Sequence, residues 1–109
     1  MTDHEKIAVY NDLCRKSLGL HGLIVNSPGI YALPCVEQLR VYSKVAHYEH
    51  FTPFTDPKDE RSSGGFNHQG IAVVWKIDYL SPDMNWKSDD PSDPVKTMRV
   101  LTIMLAEEC

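Results

Sequence analysis

Three groups of side chains in this 109-residue chain have the types and spacing to do chemistry. The first is Asp78, beside Lys76 in the apolar run W-K-I-D-Y. A carboxylate held against apolar surface has its pKa raised, which suits a general base or a metal ligand. The alternative is a structural pair with Lys76 or Arg99, and it is preferred because plain ion-pair networks perturb carboxylates equally well. The second group is His47, Glu49 and His50, the run H-Y-E-H. Two histidines three residues apart share a helix face, as a metal or acid–base pair would. Zinc needs further ligands, and sequence alone does not place His21, His68 or Cys35 beside them. A helix end, where histidines meet the C-terminal dipole, accounts for the same residues. The third is the acidic set Asp83, Asp89, Asp90 and Asp93. It lacks the glycine and the spacing of a calcium loop, and its Asp-Pro and Ser-Asp steps predict Asx-type turns instead.

No nucleophile is marked by a G-x-S-x-G turn or by a cysteine with an adjacent base. Ser63-Gly64-Gly65 is too short for a phosphate loop. The sequence therefore assigns no catalytic residue, no metal site and no cofactor. A net charge of −4, from 15 acidic and 11 basic residues, argues against a general nucleic-acid binder. No apolar run approaches the roughly 18 residues of a membrane span. The first residues, M-T-D-H-E-K, lack a signal-peptide pattern, so a cytoplasmic location is expected. Three cysteines without C-x-x-C spacing fit neither a disulfide framework nor a zinc ribbon.

The elements that must position these groups follow from periodicity. Thr2 followed by Glu5 predicts a capped helix start. Ile7, Tyr10, Leu13, Cys14 and Leu18 recur at helical spacing, placing a first helix over 3–17. Residues 20–26 read as a short strand ending in a Ser-Pro-Gly turn. A second helix is expected over 34–49, with Val36, Leu39, Tyr42, Val45 and Ala46 as its apolar stripe. Residues 52–65 read as a long loop. Alternation then puts Ile71, Val73, Trp75, Ile77 and Tyr79 on the core face of a strand. Residues 81–94 are a proline-broken loop. The β-branched run around Val100 to Ile103 favours a strand over a helix for 95–106. The order α-β-α-β-β predicts one α+β domain over 1–109. Two helices cover one face of a small antiparallel sheet, whose spine is the C-terminal hairpin. The second face, with Ala72, Val74, Val100, Thr102 and Met104, is too apolar for water. A covering loop is the expected solution, and a partner molecule or second copy is the other.

Along that spine, W-K-I-D-Y (75–79), S-D-D-P-S-D-P (88–94) and R-V-L-T-I-M-L-A-E-E (99–108) resemble a family of small bacterial proteins catalogued as a domain of unknown function. N-D-L-C-R (11–15), S-P-G-I-Y-A-L-P (27–34) and F-T-P-F-T-D-P (51–57) are similar to it as well. The resemblance implies an uncharacterised single-domain protein, often encoded with phage, plasmid or other mobile-element genes. Three functions are expected in order. The first is a non-enzymatic protein-binding module that occupies a partner's surface. Its anchors would be Phe54, Phe66 and Trp86, with Asp83, Asp89, Asp90 and Asp93, and with Lys76 and Asp78 on the open face. With mobile-element genes in mind, one version is an anti-CRISPR-like inhibitor of a host defence system. The second is a small enzyme or ligand-binding domain using Asp78 and His47 or His50. The third is a homodimer formed through the second sheet face.

Overall fold

The computed structural model describes residues 1–17 and 19–109. Leu18, assigned above to the first helix's apolar face, lies outside the described residues. Helix α1 spans Asp3–Lys16, and Thr2 caps it by accepting a hydrogen bond from the Glu5 amide at 3.2 Å. Strand β1 spans Leu23–Asn26, and a one-turn helix α2, Pro28–Tyr31, replaces the expected turn, capped by the Ser27 hydroxyl. Helix α3 spans Cys35–Ala46. Three strands complete the chain: β2 Ser63–His68, β3 Ile71–Leu80 and β4 Met98–Leu105.

The sheet order is β1-β4-β3-β2, with β1 parallel to β4 and the other pairs antiparallel. The α+β class, the helices on one face and the strand at 98–105 agree with the sequence reading. The sheet gains a strand and one parallel pair, so it is mixed rather than antiparallel. The extra strand starts inside the 52–65 stretch that reads as loop and runs three residues past it, because S-G-G-F-N-H carries two glycines and little β propensity. Gly64 is there for space: a Cβ at that position would sit 2.5 Å from the Tyr48 ring. Gln69 and Gly70 then close a two-residue hairpin, both with positive φ (52° and 86°), a conformation Gly70 adopts without strain.

The core lies between the helices and the odd-numbered face of β3. Val73, Trp75, Ile77, Leu101 and Ile103 bury against Cys14, Ile30, Val41 and Val45. Both helices are rotated from the predicted stripes. Helix α1 buries Ile7, Asn11, Cys14 and Arg15, while Leu13 turns outward. Helix α3 buries Val41, Val45 and Ala46 and leaves Val36 and Leu39 58% and 61% exposed. Arg15 explains much of the rotation. Its Nη1 donates to the carbonyls of Val45 (2.7 Å) and Tyr48 (3.0 Å) at the end of α3. Its Nη2 donates to Asp12 Oδ1 at 2.5 Å. The guanidinium lies over the Trp75 and Phe51 rings, 5.2 and 5.4 Å from their centroids. A buried cation so well partnered outcompetes a leucine for the inner face.

Candidate functional site

The residues facing away from the helices follow from the register. Val74 pairs with Met104, Lys76 with Thr102 and Asp78 with Val100, and β1 adds Leu23 beside Val100 and Val25 beside Thr102. The two long loops border this face without closing over it: Thr55 shares a cavity with Val74 and Met104, Lys87 shares one with Asp78 and Val100, and Val100 itself is buried. Glu60, in the 52–62 loop, accepts from Asn11 Nδ2 through its carbonyl (2.9 Å) and from the Tyr79 hydroxyl through its carboxylate (3.1 Å). Arg61, which ends the loop, reaches Asp12. Pro91, in the second loop, accepts from Arg99 Nη2 at 2.6 Å. Asn11, Tyr79 and Arg99 all belong to the helix side, so both loops are anchored there. Leu23 and Val25 are left 42% and 44% exposed. The open face is a row of Leu23, Val25, Val74 and Met104 crossed by one ion pair, Lys76 to Asp78 at 3.5 Å.

That pair settles the placement of Asp78. It is half-exposed and salt-bridged to Lys76, two residues before it on the same strand. His47 and His50 line a separate cavity of about 350 Å³ with Lys44 and Phe66, and Asp78 lines another with Lys87 and Leu80. The structure does not bring Asp78 and the histidines into one site. His47 Nδ1 hydrogen-bonds the Ser43 carbonyl at 2.9 Å, as a helix-end histidine does. Among the described residues no group of three or more His, Cys, Asp or Glu side chains is arranged to hold a metal.

The acidic loop has the turn chemistry expected of it. Asp83 accepts from the Ser81 hydroxyl (2.5 Å) and the Asn85 amide (3.1 Å), and Asp90 accepts from the hydroxyl and amide of Ser92. The Ser81 and Ser92 hydroxyls hold these two carboxyls below the usual aspartate range. Asp93 accepts from the Val95 amide, and Asp89 is exposed. Of the three aromatic anchors, Phe54 is 94% exposed and Trp86 is exposed on the second loop. Phe66 is corrected: it sits in β2, opposite Val73, and packs half-buried against the core.

Two polar clusters escaped the sequence reading. His68, buried at the end of β2, is 2.8 Å from Lys44 Nζ through Nδ1 and 2.6 Å from Glu37 Oε2 through Nε2. Glu37 and Lys44 are seven apart, two turns on one face of α3, which is the only signal the sequence offered. The second cluster is Arg99, Asn11, Tyr79 and Glu60. Asn11 Oδ1 accepts from Arg99 Nε (2.7 Å) while its Nδ2 donates to the Tyr79 oxygen (2.8 Å). Burial pushes the Tyr79 hydroxyl up to about 12. Both clusters join elements distant in sequence, and apart from the Glu37–Lys44 spacing no local pattern marks them.

Fold and surface together define a two-layer α+β domain with one sheet face only partly covered. The chain belongs to the family of proteins of unknown function DUF3768, whose model matches residues 26–108. None of the curated proteins matches the chain, and none of the solved structures does.

Proposed function

We propose that this chain is a non-enzymatic protein-binding module that docks a partner on its open sheet face. The carrying observation is that both long loops bond to the helix side while Leu23 and Val25 stay exposed and Val74 and Met104, on the same face, stay partly exposed. A contiguous apolar patch rimmed by polar groups marks an interaction surface. Its single Lys76–Asp78 pair is internally neutral, so the face asks for shape and apolar contact rather than for a charged partner. A charge placed on it, at Val25→Glu on the edge strand or Met104→Glu on the inner strand β4, is expected to abolish partner binding while leaving the melting temperature nearly unchanged. Retained binding in both variants contradicts the reading.

The finer version is an anti-CRISPR-like inhibitor carried by a mobile element, in which the 83–93 loop lies in a basic nucleic-acid channel. It is supported by the turn-held, depressed carboxyls of Asp83 and Asp90, which stay charged. Exchanging Asp83, Asp89, Asp90 and Asp93 for asparagine is then expected to remove protection in a phage plaque assay. Unchanged plaque counts with and without the native protein count against this version alone. A second copy as the occupant of the open face predicts a dimer by light scattering, and a monomer at high concentration excludes it.

A further inference from the structure

Arg99 is the one buried cation among the described residues that forms no ion pair. It is 4% exposed. The other two buried side chains that can carry positive charge have carboxylates: Arg15 has Asp12, and His68 has Glu37. Arg99 has only neutral partners. Its Nε and Nη2 donate to Asn11 Oδ1 and the Pro91 carbonyl, and the Tyr10 and Tyr79 rings flank it at 5.4 and 5.3 Å. Glu60 is reached only through Asn11 and Tyr79. Nη1 makes no hydrogen bond to the described residues. Desolvation pulls the guanidinium below its ordinary pKa. Proteins rarely leave a buried charge without a counter-ion.

Beside Arg99 is a cavity of about 410 Å³, at the end of the sheet where β4 begins. Leu13, Leu20, Pro94 and Met98 make its walls, His21 and Thr97 add polar groups, and among the described residues no carboxylate lines it. Small-molecule sites have this make-up, a mainly apolar concavity of at least about 300 Å³ with one or two placed polar groups. We infer that this cavity binds a small monocarboxylic acid with a hydrocarbon body, its carboxylate on Arg99 and its chain against Leu13, Leu20 and Met98. A guanidinium is the side chain that best matches a carboxylate, through two parallel hydrogen bonds. A single cation among apolar walls suits a monoanion with an apolar tail better than a phosphate dianion. The site is separate from the open sheet face, so its failure would leave the docking proposal standing.

The test uses octanoate and its neutral counterpart octanol on the full chain, followed by ¹H–¹⁵N spectra that include the Arg99 Nε–H. Octanoate is expected to shift that resonance saturably and to bind at least about tenfold more tightly than octanol, the gain expected of a charge-assisted pair. Leu13 is substantially exposed, so Leu13→Trp can fill the cavity mouth without entering the core. It is expected to weaken octanoate by about tenfold or more, the loss of one good apolar contact. Arg99→Gln, where it folds, should erase the preference for octanoate. Equal affinity for octanoate and octanol, no binding of either, or unchanged octanoate affinity in Leu13→Trp would each overturn the assignment.

Discussion

At the scale of single residues, charge and stacking decide more than hydropathy. Arg15 is fully buried, yet it bonds two helix-end carbonyls and Asp12, and it stacks on Trp75 and Phe51. Arg15→Met keeps the apolar stem but leaves both carbonyls without their donor and Asp12 with Arg61 alone. The expected loss is about 3 kcal/mol of folding stability, typical of breaking a buried pair from one side. Asp78→Asn removes only a half-exposed ion pair, and the expected change is within about 0.5 kcal/mol. Urea unfolding of the two variants side by side checks both. Asp78 was legible as unusual because an acid in an apolar run stands out. Arg15 was not, since a helical arginine reads as solvent-facing until Trp75, sixty residues on, is packed against it.

At the scale of elements, the errors share one cause: long-range contacts set which face of a helix turns inward. The stripe expected on helix α3 holds at Tyr42, Val45 and Ala46 and fails at Val36 and Leu39, which face out while Val41 turns in and Glu37 and Lys44 reach His68 on β2. The bond from His68 holds the Glu37 carboxyl below the ordinary range. With the folded pKa depressed, the contribution is present above the unfolded carboxylate pKa and is lost as pH falls through the lower folded value. Stability should therefore drop as pH falls below about 5, and Glu37→Gln should make that acid limb shallower. Denaturant midpoints of the two proteins from pH 7 to pH 3 measure the difference. Strand β2 was hidden because its glycines read as loop, although Gly64 is required by the Tyr48 ring above it. Gly64→Ala is expected to cost roughly 1–3 kcal/mol through overpacking, read as a lowered unfolding midpoint. Strands β3 and β4 were legible because alternation and β-branching agree there with burial.

At the scale of the whole molecule, the class was legible and the state of the second sheet face was not. Apolar residues on two faces of one sheet show in the sequence as a doubly patterned strand, and that pattern correctly marked Val74, Val100 and Met104. Whether a loop covers them depends on where the loop's polar groups find partners. Glu60 and Pro91 find theirs in Asn11, Tyr79 and Arg99, all on the helix side. The partly exposed second face is the docking surface proposed above, on a different side of the molecule from the exposed Val36 and Leu39 on α3. A photo-crosslinking residue placed at position 25, on the open face, and separately at position 36, on α3, tests this directly in the native host. A discrete protein adduct is expected from position 25, absent from position 36 and lost on adding Met104→Glu. Adducts from position 36 alone, or none from position 25, would contradict it.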